Sequence, residues 1–448
     1  MAGIAGINKS GQTELVGRML DTIRHRGAEG RRVFETDGAT FGIVWTKPQE
    51  HTVERFEREK AVADHAESGH LAKASIADGE LVLKRDSLGV APLYYGTREG
   101  GALCFASEVK ALLSSCTGIG QVPAGCELRG SEQKSYFSLE LKEPLSDDAG
   151  TIAEELARRL VESVEKRITL GGRVGSWLSG GLDSSAIAAL AAPRVEKLHT
   201  FAAGVEGAPD LKYARMVADF IGSEHFEVIP SFDDLLEALP DVIYHLESFD
   251  ALLVRSSITN YLVAKKAAEH VDAVFSGEGG DELFAGYDYL KSIDPGELPA
   301  ELIDITGRLQ NTALQRVDRS ASAHGTVAHV AFLDPDVVDY ALRIPVEYKL
   351  RDGVEKWILR RALDGKLPEE VLNRKKAKFW QGAGVKELVS DYAEKQISDS
   401  DFSRERTLPN GWELNTKEEL LYNRVFKEHF GDLEDLSWMG RTKGAPKK

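Results

Sequence analysis

The sequence predicts an α/β protein in which a strand-rich amino-terminal part precedes a doubly wound parallel sheet and a mainly helical carboxyl-terminal part. Short apolar runs divided by Gly, Asp and Ser dominate up to about residue 145, as in Phe41-Gly42-Ile43-Val44-Trp45 and Leu81-Val82-Leu83, the pattern of short strands. Beyond about residue 150 apolar runs alternate with helical stretches, which argues for parallel strands joined by crossover helices. Two Gly-rich polar loops each follow such a run, at the carboxyl ends of strands where this architecture binds ligands.

The elements follow in order. Pro144 to Asp148 is polar and turn-rich and precedes a helix with Leu156, Leu160, Val164 and Ile168 on one stripe. A domain boundary is expected there, giving units 1–148 and 149–448. Strands are expected over Val174 to Leu178, His199 to Val205, His225 to Ile229 and Ala273 to Ser276, with an Ala-rich helix from Ser184 to Ala192 after the first. From about residue 285 onward the pattern is helical, and no internal repeat or low-complexity tract occurs.

At 448 residues the chain can hold two or three domains with cores of their own. A net charge of -16 with 29% charged residues describes an acidic, soluble protein, whose field works against nucleic acid. Basic residues cluster only at Arg374-Lys375-Lys376 with Lys378 and in the tail after Arg441. Cys104, Cys116 and Cys126 have neither zinc spacing nor the number for a disulfide framework. No leader-like start and no apolar run near the roughly 20 residues of a membrane helix is present, so a cytoplasmic protein with no membrane and no nucleic-acid partner is expected.

The first loop, Ser179-Gly180-Gly181-Leu182-Asp183-Ser184-Ser185, opens a helix whose amino terminus favours an anion. Gly180 and Gly181 let the backbone approach phosphate oxygens, and Ser179, Ser184 and Ser185 add hydroxyls. Asp183 would repel a bare phosphate, but it makes sense if Mg²⁺ bridges it to pyrophosphate. The plain alternative is a capped Gly-Ser helix start. No Gly-Lys-Ser/Thr follows, so the Walker pattern is excluded. In the second loop, Ser276-Gly277-Glu278-Gly279-Gly280-Asp281-Glu282, three carboxylates in five residues repel one another unless metal or a cationic group offsets them. A solvated acidic turn is the alternative.

The first loop resembles the PP-loop of ATP pyrophosphatases. With the second, and with Pro209-Asp210-Leu211-Lys212, Asp241 to His245, Phe249-Asp250 with Arg255, Phe332-Leu333-Asp334 and Arg374 to Phe379, the chain resembles the asparagine synthetase family, which includes the β-lactam and carbapenam synthetases. The resemblance implies a PP-loop domain behind a glutaminase-like (Ntn-type) β-sandwich, and an ATP- and Mg²⁺-dependent ligation. A carboxylate would be adenylated with release of pyrophosphate, and ammonia or an amine would then form an amide. Aspartate is the default substrate, and a homodimer is compatible with such a chain. Lys376 matches the family's catalytic lysine, although a run of this kind is otherwise a solvated face. Glu278 matches the glutamate beside the adenylate, and Arg255 would hold a substrate carboxylate. Asp183 and Asp281 are the Mg²⁺ candidates. Leu178, Ala203, Ser276 and Gly277 fall where the family contacts adenosine.

Several departures qualify the resemblance. Glutamine-dependent members carry a nucleophilic cysteine at position two, where this chain has Ala2, and a methyl group cannot attack an amide. Arg24-His25-Arg26-Gly27 and Arg85-Asp86-Ser87-Leu88-Gly89 remain glutaminase-like, but no Asn-Gly-Glu segment lies between them and Phe41 to Leu81 is short for a glutamine site. The amino-terminal unit is therefore expected to be reduced and inactive, with His25 structural. Leu252-Leu253 stand where compared glutamine-dependent asparagine synthetases have two threonines, a change that removes hydroxyls from an acceptor pocket unless the leucines face the core or the local alignment slips. Two other functions stay open: a specialised amide or lactam synthetase acting on another carboxylate, and a non-catalytic nucleotide-binding paralogue. A tRNA-modifying enzyme would need a basic face.

Overall fold

The computed structural model describes residues 2–46, 53–64, 69–375 and 386–442. The amino-terminal part forms two antiparallel sheets. The first has the order β2 (Gly30–Thr36), β3 (Ala39–Trp45), β1 (Ala2–Ile7), β8 (Leu103–Ala106), β7 (Tyr94–Thr97), β9 (Thr117–Gln121); the second has the order β11 (Glu132–Ser135), β10 (Cys126–Arg129), β6 (Glu80–Arg85), β5 (Ala72–Ala77), β4 (Ala61–Asp64). Side chains alternate across a strand, so β1 sends Ile4 into a core shared with Val62, Ala74, Leu83 and Leu128 of the second sheet. Its neighbours Ala5 and Ile7 point the other way, onto Leu15, Val16 and Leu20 of helix α1 (Thr13–Thr22). A helix α2 (Val53–Glu59) leads into β4.

That second face does not reach water. Leu235, Leu239 and Leu246 of α6 (Phe232–Leu246), Leu253 of α7 (Ala251–Ala268) and Phe426 of the helix Lys417–Phe430 share its core. A buried ionic cluster joins the same two parts. Arg26, with no exposed surface, reaches Glu108 at 2.9 Å, Asp64 at 3.0 Å and Asp318 at 2.9 Å. Arg319 bridges onward to Glu247 at 3.0 Å, and Glu247 also meets Lys110 at 3.3 Å. Burial alone would raise the Glu108 carboxyl, but the charges of His25, Lys110 and Arg319 outweigh it and hold Glu108 well below the usual carboxylate range.

The long helix α3 (Ala149–Ile168) is capped by Asp148, which accepts from Gly150 N at 2.7 Å, and it buries Ile152, Leu156, Leu160 and Val164. It shares a core with a five-stranded parallel sheet of order β14 (Glu224–Val228), β13 (His199–Ala203), β12 (Val174–Trp177), β15 (Ala273–Ser276), β16 (Val327–Val330). The expected parallel sheet is present, with two differences. Strands β12 and β13 end at Trp177 and Ala203, short of the expected Leu178 and Val205, and β14 runs one residue earlier than expected. The strand β16 lies within the stretch read as helical, because four residues are too few to show a period. Helices α4 (Leu182–Ala191) and α5 (Pro209–Ile221) supply the crossovers from β12 to β13 and from β13 to β14, and α6 and α7 lie in the one from β14 to β15. Strand order runs outward in both directions from the neighbours β12 and β15, so the switch-point crevice opens between their carboxyl ends. Among the described residues no helix is long and apolar enough to cross a membrane.

Candidate active site

A cleft of about 960 Å³ opens at that crevice, and its walls include Leu178, Ser179, Gly181, Asp183, Ser184, Ala203, Ser276, Gly277, Glu278 and Asp281. The two loops touch because glycine permits it: a Cβ on Gly277 would lie 2.6 Å from Ser184 N, and one on Gly280 would lie 2.5 Å from Asp183 Oδ1. The first loop braces itself before any ligand arrives. Ser179 N donates to Ser184 Oγ at 3.1 Å, and the hydroxyls of Ser179 and Ser184 meet at 3.0 Å. Gly180, at φ +67°, backs against Tyr213 and Ala214 of α5, while Ser185 is fully buried in α4; neither lines the cleft.

Lys356, on which no sequence motif falls, is the centre of the site. Its Nζ lies 2.5 Å from Asp183 Oδ2 and 2.5 Å from Asp281 Oδ1, and the residue is 2% exposed. It precedes the helix Trp357–Ala362 in a left-handed conformation, φ +56°, uncommon for a residue other than glycine. No local pattern points to it, since Asp183 is 173 residues away in sequence. Arg316, from the helix Ala313–Ser322, is a second unanticipated cation, ion-paired with Glu278. Glu282, buried and next to Asp281, accepts from Tyr287 Oη and is pushed up to about 7, by burial first and by the Asp281 charge second.

The remaining expected residues separate. Lys376 lies outside the described residues, though Arg374 and Lys375 reach the cleft wall, with Arg374 paired to Asp210 at 2.5 Å. Arg255 is 7% exposed and grips Glu418 with two nitrogens, Nε at 3.0 Å, while Tyr422 Oη donates to the same carboxylate at 2.7 Å. It is not a wall of the cleft, so the expected role on a substrate carboxylate is not what its position offers; its fork is engaged by a carboxylate of this chain. Leu252 and Leu253 both border the cleft; Leu252 is 42% exposed, whereas Leu253 is 4% exposed and packs in the core shared with the sandwich, so the alternative of a core-facing leucine holds for Leu253 and not for Leu252. In the sandwich, His25 bonds Glu108 at 3.0 Å, and burial lowers its pKa.

The donor chemistry fits Mg²⁺. Two aspartates converge on one point beside a phosphate-type loop, and Mg²⁺ is held by one or two carboxylates plus substrate phosphates rather than by an all-protein cage. Among the described residues no group of three or more His, Cys, Asp or Glu forms a cage of that other kind.

The asparagine synthase family model matches residues 155–301 and 297–445. The chain belongs to the asparagine synthase family. A glutamine amidotransferase domain model matches residues 71–127. Among relatives of this family, the chain is 36% identical over 372 residues to the glutamine-hydrolysing asparagine synthetase B of Escherichia coli K12, covering 78% of this chain and 67% of that protein. It is 34% identical to the glutamine-hydrolysing asparagine synthetase 2 of Arabidopsis thaliana over 79% of this chain and 65% of the relative. A probable asparagine synthetase of Schizosaccharomyces pombe is 36% identical, with 78% and 70% covered. The chain thus spans about two thirds of the length of these relatives.

Proposed function

We propose that this member of the asparagine synthase family is an ATP-dependent, AMP-forming amide ligase whose own amino-terminal unit, residues 1–148, does not hydrolyse glutamine. The observation that carries the ligase reading is the convergence of Asp183, Asp281, Lys356 and Glu278 on one cleft at the switch point. The α4 amino terminus and the Ser179–Ser184 loop would cradle the ATP phosphates. Asp183 and Asp281 would hold Mg²⁺, which when bound screens the phosphates and steadies the pyrophosphate leaving group. As the substrate carboxylate attacks the α-phosphorus, the α–β bridging oxygen gains charge. The fixed ammonium of Lys356 stabilises that charge more than the ground state. Glu278, held by Arg316, is placed to take a proton from ammonia or an amine as it displaces AMP from the acyl-adenylate.

The inactive-glutaminase reading rests on Ala2, on the missing glutamine-binding segment, and on the family match confined to 71–127 in that unit. Free ammonia, ammonia from a partner, or an amine on the substrate is then the nucleophile. Purified protein given ATP, Mg²⁺, aspartate and ammonia, with other carboxylic acids in parallel, should release pyrophosphate and AMP. No release with any acid rejects the ligase and favours the nucleotide-binding paralogue.

One observation favours a second reading. Leu252, Leu253, Ile305 and Leu309 give the cleft an apolar wall, against which a polar substrate such as aspartate leaves hydrogen bonds unmade at about 1–3 kcal/mol each. A less polar carboxylate would fit that wall better.

A further inference from the structure

Cys104 and Cys116 come together in the first sheet of the sandwich, although residues 105–115 separate them in the chain. Cys104 lies on β8, where its register partner on β7 is Gly96. Cys116 immediately precedes β9, on the other side of β7, and leans back over that strand: a Cβ on Gly96 would lie 2.9 Å from the Cys116 Cβ. The Cys116 side chain thus occupies the place that a side chain at residue 96 would fill. Cross-strand neighbours on one face stand about 4.5–5.5 Å apart at Cβ. Cys104 and Cys116 therefore face each other as such a pair does, within about 1 Å of the Cβ separation that a disulfide spans. The glycine and the bulge between Tyr95 and Thr97 make the approach possible.

The two thiols differ in a way that suits a reaction. Cys104 is fully buried, whereas Cys116 is half-buried beside exposed Ser114, Thr117 and Gly118. The Cys104 S–H donates to the Cys116 sulfur. That bond, helped by the Ser115 hydroxyl at 3.8 Å and the Arg98 charge, pulls the Cys116 pKa down against burial, and the same bond together with burial pushes Cys104 up. An accessible thiolate with a protonated thiol behind it is the arrangement of a nucleophile and its resolving cysteine. Cys126, 5% exposed on the second sheet, is met instead by the Gln133 side-chain amide at 3.8 Å.

We propose that Cys104 and Cys116 form a redox-active dithiol, a modification site that hydrogen peroxide converts to an intrachain disulfide across β7. The Cys116 thiolate attacks one peroxide oxygen. An S–O bond forms as the O–O bond breaks, the sulfur gives two electrons to the peroxide, and the departing hydroxide takes up a proton as water. The Cys104 sulfur then attacks the Cys116 sulfenic sulfur; the S–S bond forms, the S–O bond breaks, and the hydroxyl leaves with the Cys104 proton as a second water. A thiol reductant reverses the link. The disulfide closes the segment 105–115, which carries Glu108 and Lys110 of the buried ionic cluster, so the oxidation state acts where the two units meet.

The test exposes the full, folded chain to hydrogen peroxide and maps its thiols by mass spectrometry without reduction. The wild type should lose two hydrogens, carry a Cys104–Cys116 link, keep Cys126 free, and return to its starting mass with dithiothreitol. Cys104→Ala should accumulate a Cys116 sulfenic acid that dimedone traps, and Cys116→Ser should leave Cys104 reduced at the same dose. Gly96→Ala keeps both thiols but sets a methyl group between them, and should slow the link by about tenfold or more with the far-ultraviolet spectrum unchanged. If a variant fails to fold, the wild-type map decides. Cys116 oxidised alone, Cys116 joined to a second molecule, both thiols intact after Cys126 has reacted, or a folded Gly96→Ala chain that links as fast as wild type overturns the proposal.

Discussion

Where the amino-terminal sandwich meets the carboxyl-terminal unit, Arg26, Glu108, Asp64 and Asp318 are paired at 2.9 to 3.0 Å with at most 7% of any of these side chains exposed, whereas in the carboxyl-terminal unit Lys356, Asp183 and Asp281 are paired just as closely at the wall of a 960 Å³ cleft. Ion pairing by itself thus distinguishes nothing. What separates the two clusters is access: a dry cluster holds two layers together, while an open one can exchange a protein partner for a ligand. Loss of a charge should cost stability in the first case and chemistry in the second.

The largest effect expected is on the open cluster. Lys356→Met should lower kcat for pyrophosphate release by about 100- to 1,000-fold, with thermal unfolding still cooperative; activity within a few-fold of wild type would place the phosphate cation elsewhere. In the dry cluster, Arg26→Met removes a shared cation from three buried carboxylates and should cost about 3–5 kcal/mol in denaturant unfolding. An Arg26→Met protein of normal stability but altered nitrogen use would break the comparison from the other side.

A smaller effect is expected at the apolar wall. Leu252→Thr with Leu253→Thr should raise kcat/KM for aspartate about tenfold relative to less polar acids, if roughly one hydrogen bond of 1–1.5 kcal/mol is recovered. A decrease for aspartate would count against the second reading. The smallest concerns Lys349, 1% exposed, whose ammonium is pushed down to about 7 by burial. Because its folded pKa is depressed, the unfolded chain protonates first, so its contribution to stability falls as pH drops from about 10.5 toward 7. Lys349→Met should therefore raise Tm by about 2–4 °C near pH 7, with the gain fading toward pH 10; a gain independent of pH would point to packing alone.

The parts of the site that are contiguous in the chain are legible in the amino-acid sequence itself. Ser179 to Ser185 and Ser276 to Glu282 announce themselves because a strand end, glycines and carboxylates lie within seven residues of one another. Lys356 and Arg316 do not, since each becomes functional only when folding brings it to a loop far away in sequence. The same cause hides Glu418, which engages Arg255: the arginine is legible as a carboxylate binder, but its carboxylate lies 163 residues further along. Strands divide in the same way. The buried β12 and β15 stand out as apolar runs before glycine loops, whereas β16 is short, bounded by no turn signal after Val330, and lost among helices.

The most direct test of the account supplies ATP, Mg²⁺ and the best carboxylate from a panel, with ammonia in one arm and glutamine in the other, and follows pyrophosphate. The account predicts release with ammonia, or without either donor if the substrate carries its own amine, and no increase or glutamate formation when glutamine is added. Stoichiometric glutamate and pyrophosphate from glutamine alone would contradict it.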